Sequence, residues 1–288
     1  MSKSESKPGA PPMPKPVAPV QEESLWHGWR FKSRCGPIMR SECYKSGDEA
    51  NSCEGACHFC VYSKQLSDLP HWPEMIFADN IIEIEHVKTG SVIQFTALEA
   101  LRGVDSKCDW IKVCATDEWR DARKDCDFIN NTIKPFDWTF ATPYQGTTIS
   151  YDVVETTEEI DLEKLKVQEP ILWYAAVPLF EDELADNGVS MVEIRLRCMP
   201  SGWFALMRQF IRVDGVVFQI RDTRLRVEAG WPEGVILGEY SIRQKMIKNL
   251  PSGQISELLS VQRSPIELAP MLDLTERRLF KLVPSKQS

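Results

Sequence analysis

Five cysteines crowd into a short stretch near the N-terminus, where their spacing could support metal chemistry. They are Cys35, Cys43, Cys53, Cys57 and Cys60, with His58 inside a CxxxCxxC run. Cysteine thiolates and imidazoles are the usual ligands of tetrahedral Zn²⁺ sites. However, only Cys57 and Cys60 form the tight pair that is typical of such sites. Two interpretations therefore stay open, a zinc site or a surface loop of reduced thiols, and we assign no metal ligand and no cofactor from the sequence.

Signatures of catalysis are missing from the sequence. It contains no GxSxG elbow, no P-loop, no GxGxxG and no HExxH. The chain after Trp110 has no histidine to act as a base. Asp214 and Asp222 are acidic, but no second carboxylate lies near them in the predicted hairpin to divide the roles of acid and base. We therefore predict that the protein is not an enzyme, with an unrecognised hydrolase as the alternative.

The second half of the chain separates its charges. Residues 152–187 contain eleven acidic residues and two lysines, whereas residues 188–228 contain seven arginines, four acidic residues and no lysine. Solvated faces alone can produce such a separation. The preference for arginine also suits the bidentate recognition of carboxylates. We therefore expect an arginine-rich face that receives acidic side chains or a C-terminal carboxylate of a partner, while Phe180–Glu183 meets a basic surface of that partner.

The composition favours a globular domain that binds protein. Of the 288 residues, 43% are apolar, which is enough for a sizeable core. The formal net charge of −8 opposes binding to nucleic acid, which requires clustered Lys and Arg. The longest apolar stretch, Ile171–Phe180, is too short to cross a membrane and contains Pro178. Because no apolar signal-peptide segment is seen, we expect a cytoplasmic or nuclear protein.

The pattern of elements predicts a β-rich α+β fold with two antiparallel sheets and several short helices. Residues 1–24 are predicted to be a disordered Pro-rich tail. Residues 25–280 are predicted to form a single domain with a Cys-rich segment at 35–62, and residues 281–288 a frayed C-terminus. The gap between the two sheets is a natural place for an extended peptide.

Local signals predict several elements. Strands at 80–87 and 91–95 flank a Lys88-Thr89-Gly90 turn, and Thr96 and Asp161 are expected to cap helices. Further predictions are a strand at 110–114 and helices at 116–124, 242–250 and 255–261.

The clearest local signal is a hairpin centred on Asp214-Gly215. This dipeptide tolerates the positive φ angles of a two-residue type I′ turn. The predicted register pairs Val213 with Val216, Ile211 with Phe218 and Gln209 with Ile220.

Six collinear segments of the sequence resemble a known family. They are LPHWPEMIFADN (69–80), FTALEALRGV (95–104), IKPFDWTF (133–140), TTEEIDLEKLK (156–166), LFEDELADNGVS (179–190) and RCMPSGWFALMRQFIRVDGVVFQIRDTRL (197–225). In this order they are similar to the TIPRL-like family of TOR signalling pathway regulators. The Pro-rich tail and the Cys-rich stretch have no counterpart in the family pattern, and the segment after Trp231 aligns poorly.

The resemblance implies an inhibitor or regulator that binds the catalytic subunit of type 2A-like protein phosphatases in TOR signalling. The partner-binding positions that it implies are Glu99, Ile160, Ile220, Asp222 and Arg224. Each has an ordinary structural alternative, such as a helix cap, a core position or an ion pair within the chain. The alternative function is a zinc-binding adaptor that acts through the Cys-rich segment and the Pro-rich tail.

Overall fold

A computed structural model describes residues 18–43, 53, 55, 57–69, 71–104, 139–184, 187–247, 250–262 and 264–285. The predicted strand at 110–114 and the predicted helix at 116–124 lie outside these residues. The described elements in chain order are β1 (Val20–Trp26), β2 (Trp29–Cys35), α1 (His58–Gln65), β3 (Met75–Ile76), β4 (Ile81–His86), β5 (Ser91–Thr96), α2 (Ala97–Arg102), β6 (Thr147–Ile149), β7 (Tyr151–Glu155), α3 (Leu162–Lys166), β8 (Trp173–Asp182), β9 (Gly188–Met199), β10 (Gly202–Val213), β11 (Val217–Glu228), β12 (Ile236–Met246), α4 (Ser252–Ser260), α5 (Pro265–Leu268), a 3₁₀ helix (Ala269–Met271) and β13 (Asp273–Pro284).

The strands form two antiparallel sheets, which confirms the predicted fold class. The small sheet has the order β1-β2-β4-β5-β6, and the large sheet has the order β3-β8-β9-β10-β11-β12-β13-β7. Alternation of apolar and polar residues explains how each strand faces the core. On β4, for example, Ile82 and Ile84 are buried, whereas Glu83 between them pairs with Lys32 of β2 at 2.9 Å.

The main core lies between the sheets and holds their inner faces together. Aromatic side chains from both sheets meet there: the rings of Trp29 and Trp203 are 5.1 Å apart, and those of Phe31 and Trp173 are 5.7 Å apart. These contacts bury large apolar areas, which makes this layer the main source of stability.

A second apolar cluster covers part of the other side of the large sheet, which we call the outer face. Phe210, Phe218 and Ile220 of β10 and β11 pack there against Leu258 of α4 and Leu268 of α5. The C-terminal helices therefore shield one end of the outer face.

The central hairpin of β10 and β11 forms, but with a different register from the prediction. Val213 pairs with Val217 and Phe210 with Ile220, so the loop contains three residues, 214–216. The predicted pairing of Val213 with Val216 was therefore wrong by one residue. Gly215, the middle residue of this loop, adopts a positive φ of 72°, which glycine tolerates without steric cost. Because pairing decides which side chains are neighbours, this shift places Arg208 directly opposite Asp222.

Two chain ends are more ordered than predicted. Residues 20–24 belong to β1 and pair with β2, so the prediction of disorder was wrong for this part of the 1–24 segment. Residues 281–284 belong to β13 and pair with β7, where Leu282 is buried. In both places a neighbouring strand satisfies the backbone hydrogen bonds, and composition alone does not reveal such a neighbour.

Helix caps were predicted well where the signal is local. The Thr96 hydroxyl accepts a hydrogen bond from the Glu99 backbone N–H, and Asp161 caps α3 in the same way. The predicted helix at 255–261 corresponds to α4. The predicted helix at 242–250 was wrong, because residues 242–246 continue β12 and pair with β11 and β13.

Candidate functional site

Buried charge lies in the middle of the outer face. The Arg208 Nε and Nη2 atoms donate to the two carboxylate oxygens of Asp222, both at 2.7 Å. The two side chains are only 11% and 2% exposed. Burial alone would lower the pKa of Arg208, but the hydrogen bonds and charge of Asp222 outweigh it and raise that pKa.

The ion pairs continue across the sheet. Arg224 donates to Asp222 at 2.9 Å and to Glu239 at 3.0 Å. Arg277 of β13 donates to Glu239 at 2.9 Å and to Glu159, in the segment before α3, at 2.8 Å. The hydrogen bonds to Glu239 and Glu159 raise the pKa of Arg277. We call the connected residues the charge ladder: Arg208, Asp222, Arg224, Glu239, Arg277 and Glu159.

Most arginines of the predicted carboxylate-binding face already pair with carboxylates of their own chain. Ion pairs within the chain engage five of the seven arginines between residues 188 and 228, namely Arg195, Arg208, Arg212, Arg224 and Arg226. The arrangement therefore favours a rigid charged surface over a set of open guanidinium groups that await a partner's carboxylate.

The structure brings four of the five predicted partner-binding residues to the outer face. Ile220, Asp222 and Arg224 alternate along β11 on this side. Ile220 is 1% exposed within the second apolar cluster. Ile160 is 5% exposed, and its neighbour Glu159 pairs with Arg277 of the outer face.

Glu99 lies apart from the other four, in α2 beside the small sheet. Its side chain is 36% exposed, the highest value among the five predicted residues, and pairs with Arg102 at 2.5 Å. Arg102 also donates to Gln65 at the end of α1. Because Glu99 caps nothing with its own carboxylate, it is the predicted residue best placed to touch a partner directly.

An acidic groove of about 520 Å³ also opens on the outer face, next to the second apolar cluster. Glu181, Glu183 and Glu193 line it, with Phe210 and two arginines, Arg195 and Arg212, of which Arg195 pairs with Glu193 at 2.8 Å. Burial, followed by repulsion from Glu183 and Glu193, raises the pKa of Glu181. A cationic side chain that entered this groove would relieve the repulsion.

The acidic groove was only partly predictable. Of the predicted Phe180–Glu183 stretch, Phe180 is buried and Asp182 accepts hydrogen bonds from the backbone N–H groups of Glu74 and Leu184. Glu193 was missed, although its place in the alternating pattern of β9 marks it as a polar-face residue.

A cleft of about 450 Å³ opens between the two sheets, beside β6 and β7. Ile93 and Phe280 line its apolar part, and Glu155 and Arg278 supply charge. The Arg278 side chain is 58% exposed and lies 4.8 Å above the ring of Tyr240. β6 and β7 are the end strands of their sheets in the described chain, so the cleft has the backbone edges that an extended peptide needs.

Among the described residues, no helix is both long enough and apolar enough to span a bilayer.

Comparison with known proteins gives consistent matches. The profile of the TIP41-like family matches residues 75–251. The human TIP41-like protein is 40% identical over 222 residues, which cover 75% of this chain and 78% of that protein. The TIP41-like protein of Arabidopsis thaliana is 34% identical over 281 residues, which cover 90% of each chain. A protein of Saccharomyces cerevisiae named "Type 2A phosphatase activator TIP41" is 32% identical over 247 residues, which cover 79% of this chain and 65% of that protein.

These matches confirm the family resemblance of the six sequence segments. The name of the yeast relative says activator, whereas the resemblance implied an inhibitor or regulator. The matched range runs from β3 through β12 and therefore includes the three glutamates of the acidic groove, but it leaves out the Cys-rich segment.

Proposed function

The chain belongs to the TIP41-like family, and from this premise we propose that it is a non-catalytic regulator of type 2A-like protein phosphatases. In this proposal it binds the catalytic subunit of these phosphatases and acts in TOR signalling. The observation that carries the proposal is the match over residues 75–251, together with the name of the yeast relative as an activator of type 2A phosphatase. The proposal places the protein in the cytoplasm or the nucleus. It requires neither a cofactor nor a nucleic-acid or membrane partner.

The binding surface in this proposal has two parts. Glu99 makes a direct contact, because its side chain is 36% exposed and lies on a short helix fixed by the core residues Ala100 and Leu101. The outer face supplies the second part, with the acidic groove as the contact for basic side chains of the phosphatase.

Four predicted residues act mainly by shaping this second part. Ile220, Asp222 and Arg224 are largely or fully buried, so a partner would touch little of their surface. Asp222 and Arg224 hold neighbouring strands at fixed spacing through the charge ladder. Ile160 directly follows Glu159, the last member of the charge ladder. Substitution of any of them would weaken binding by deforming the face, which makes them positioning residues.

A direct binding assay tests the proposal. Purified chain without a tag is titrated against an immobilised type 2A catalytic subunit, with biolayer interferometry as the readout. We expect the wild-type chain to bind and Glu99→Arg to weaken binding about tenfold, equivalent to about 1.4 kcal/mol. The matched control is Glu233→Arg, because Glu233 is also exposed and pairs with a single basic residue, Lys88. Absence of binding by the wild-type chain to every phosphatase of this class would overturn the proposal.

A phosphatase assay on the same complex determines the direction of regulation. A phosphopeptide is hydrolysed by the catalytic subunit at increasing concentrations of the chain. A rise in rate identifies an activator and a fall identifies an inhibitor. The chain alone should leave the phosphopeptide intact.

A further inference from the structure

Four thiols converge at one point of the Cys-rich segment, outside the range matched by the family. The Sγ atoms of Cys43, Cys53, Cys57 and Cys60 all lie within 4.8 Å of one another. Cys53 and Cys60 are 3.6 Å apart, Cys57 and Cys43 are 3.9 Å apart, and Cys60 and Cys43 are 3.5 Å apart. Cys43 is separated in sequence from the other three cysteines, so the convergence of all four sulfur atoms is a property of the folded chain.

The separations match the dimensions of a tetrathiolate metal site. Zn–S bonds of about 2.3 Å in a tetrahedron place neighbouring sulfur atoms about 3.8 Å apart. None of the four cysteines forms a disulfide. All four are half-buried, which would exclude much of the solvent from a central ion while leaving a route for it to enter.

Local structure holds the thiols in place. Cys57 is the N-cap residue of α1 and donates its backbone N–H to the Cys53 Sγ at 3.3 Å, while Cys60 lies in the first turn of the helix. Such N–H to sulfur bonds stabilise thiolates, as outer-shell bonds do in metal sites. The helix itself is anchored by Tyr62 and Leu66, which are buried in the main core. The helix therefore fixes the positions of Cys57 and Cys60 independently of the ion.

The other candidate ligands of the segment lie outside the cluster. Cys35 ends β2 and packs against the main core. His58 directs its Nδ1 atom toward Asp79, at 3.7 Å. The four sulfur atoms complete a tetrahedral shell without either residue, and a closed shell of four protein ligands is the form of a structural site.

We propose that Cys43, Cys53, Cys57 and Cys60 bind one Zn²⁺ ion as a structural tetrathiolate site that ties the segment after β2 to the N-terminus of α1. Binding releases the thiol protons to solvent, since only thiolates coordinate the ion. Soft thiolates in a tetrahedron favour Zn²⁺ over hard cations such as Mg²⁺ and Ca²⁺. None of the ligands lies on the outer face or in α2, so the metal content can be measured separately from phosphatase binding.

Metal analysis tests the proposal. Chain without a tag is purified without chelators, and its metal content is measured by inductively coupled plasma mass spectrometry. We expect about one zinc per chain in the wild type and less than about a tenth of that in Cys57→Ser and Cys60→Ser. The matched control is Cys35→Ser, which removes a cysteine of the same segment and should keep the zinc. Zinc absent from the wild type, iron in its place, or zinc retained in both ligand variants would overturn the proposal.

A second measurement covers the case in which the serine variants fold poorly. Wild-type chain is stripped of metal, reduced and titrated with Co²⁺, which gives visible absorption bands diagnostic of tetrahedral thiolate coordination. We expect these bands to saturate at about one equivalent and to vanish when Zn²⁺ is added, because Zn²⁺ binds thiolates more tightly. Mass spectrometry after alkylation without reductant gives an independent check on the chain as purified. Two disulfides among these four cysteines in that experiment would overturn the proposal.

Discussion

Asp222 shows how a residue predicted to bind a partner can also determine the stability of the face around it. It accepts two hydrogen bonds from Arg208 and one from Arg224, and it is almost completely buried. A buried ion pair contributes little compared with an apolar pair of the same shape, but removal of one partner leaves the other charge buried and uncompensated. The cost of substitution here should therefore be large.

We predict that Asp222→Asn lowers the free energy of unfolding by about 3 to 5 kcal/mol, because Arg208 and Arg224 lose their shared carboxylate. The measurement is urea unfolding followed by tryptophan fluorescence. The control is Asp214→Asn, since Asp214 also pairs with an arginine, Arg212, but its side chain is 52% exposed. The control should lose less than about 1 kcal/mol. Equal losses in the two variants would contradict a buried ladder.

The pairs of the charge ladder that join different strands could not be predicted from the sequence, because they depend on register. A shift of one residue turns every side chain of a strand to the opposite face. With the predicted pairing of the hairpin, Arg208 and Asp222 would not have been opposite each other. The pair of Asp222 with Arg224 agrees with the alternative of an ion pair within the chain, because both residues lie on one face of β11 whatever the register.

At the scale of elements, contacts with neighbouring strands determine the loop length and the strand ends that the local sequence does not specify. Asp214-Gly215 correctly predicts a tight hairpin, since Gly215 supplies the positive φ. The third loop residue is set by tertiary contacts: Asp214 donates its backbone N–H to Asn187, and Ile247 donates to the carbonyl of Val216. The helix predicted after Ser241 failed for the same reason, because two flanking strands extend β12. Local caps such as Thr96 were predictable since both partners lie within one turn.

The end of this hairpin allows two glycines to be compared. A Cβ atom at Gly188, in β9, would lie 1.9 Å from the carbonyl oxygen of Arg212, whereas a Cβ atom at Gly215 would meet nothing within 4 Å. We predict that Gly188→Ala lowers the free energy of unfolding by about 3 kcal/mol, because its methyl group clashes with the backbone of Arg212. Gly215→Ala should lower it by only about 1 kcal/mol, because alanine is strained in the left-handed conformation of this residue. Thermal unfolding by circular dichroism measures both. A melting temperature of Gly188→Ala equal to or above that of Gly215→Ala would show that β9 and β10 are not packed this closely.

At the scale of the whole molecule, the inner and outer faces of the sheets have different roles. Their inner faces share the aromatic core and provide stability, whereas the outer face of the large sheet carries the ordered charge. Composition and alternation were sufficient to predict this β-rich architecture. They could not predict which side of the large sheet would face outward, because both sides of β10 and β11 carry buried residues. The helices that cover one end of the outer face explain that burial.

The net charge of −8 and the acidic groove together predict how the protein meets a basic partner surface. Exposed charges act over about 10 Å at 0.1 M salt and mainly change the rate of association. We predict that the rate constant for association with the phosphatase catalytic subunit falls as salt increases, and that Glu183→Lys lowers it several-fold at low salt.

The control is Glu163→Lys, which makes the same charge change on α3, where the side chain is 79% exposed. Stopped-flow fluorescence at several salt concentrations measures these rates. Equal effects of the two variants would mean that net charge alone attracts the partner, and a larger effect of Glu183→Lys would locate the attraction at the acidic groove.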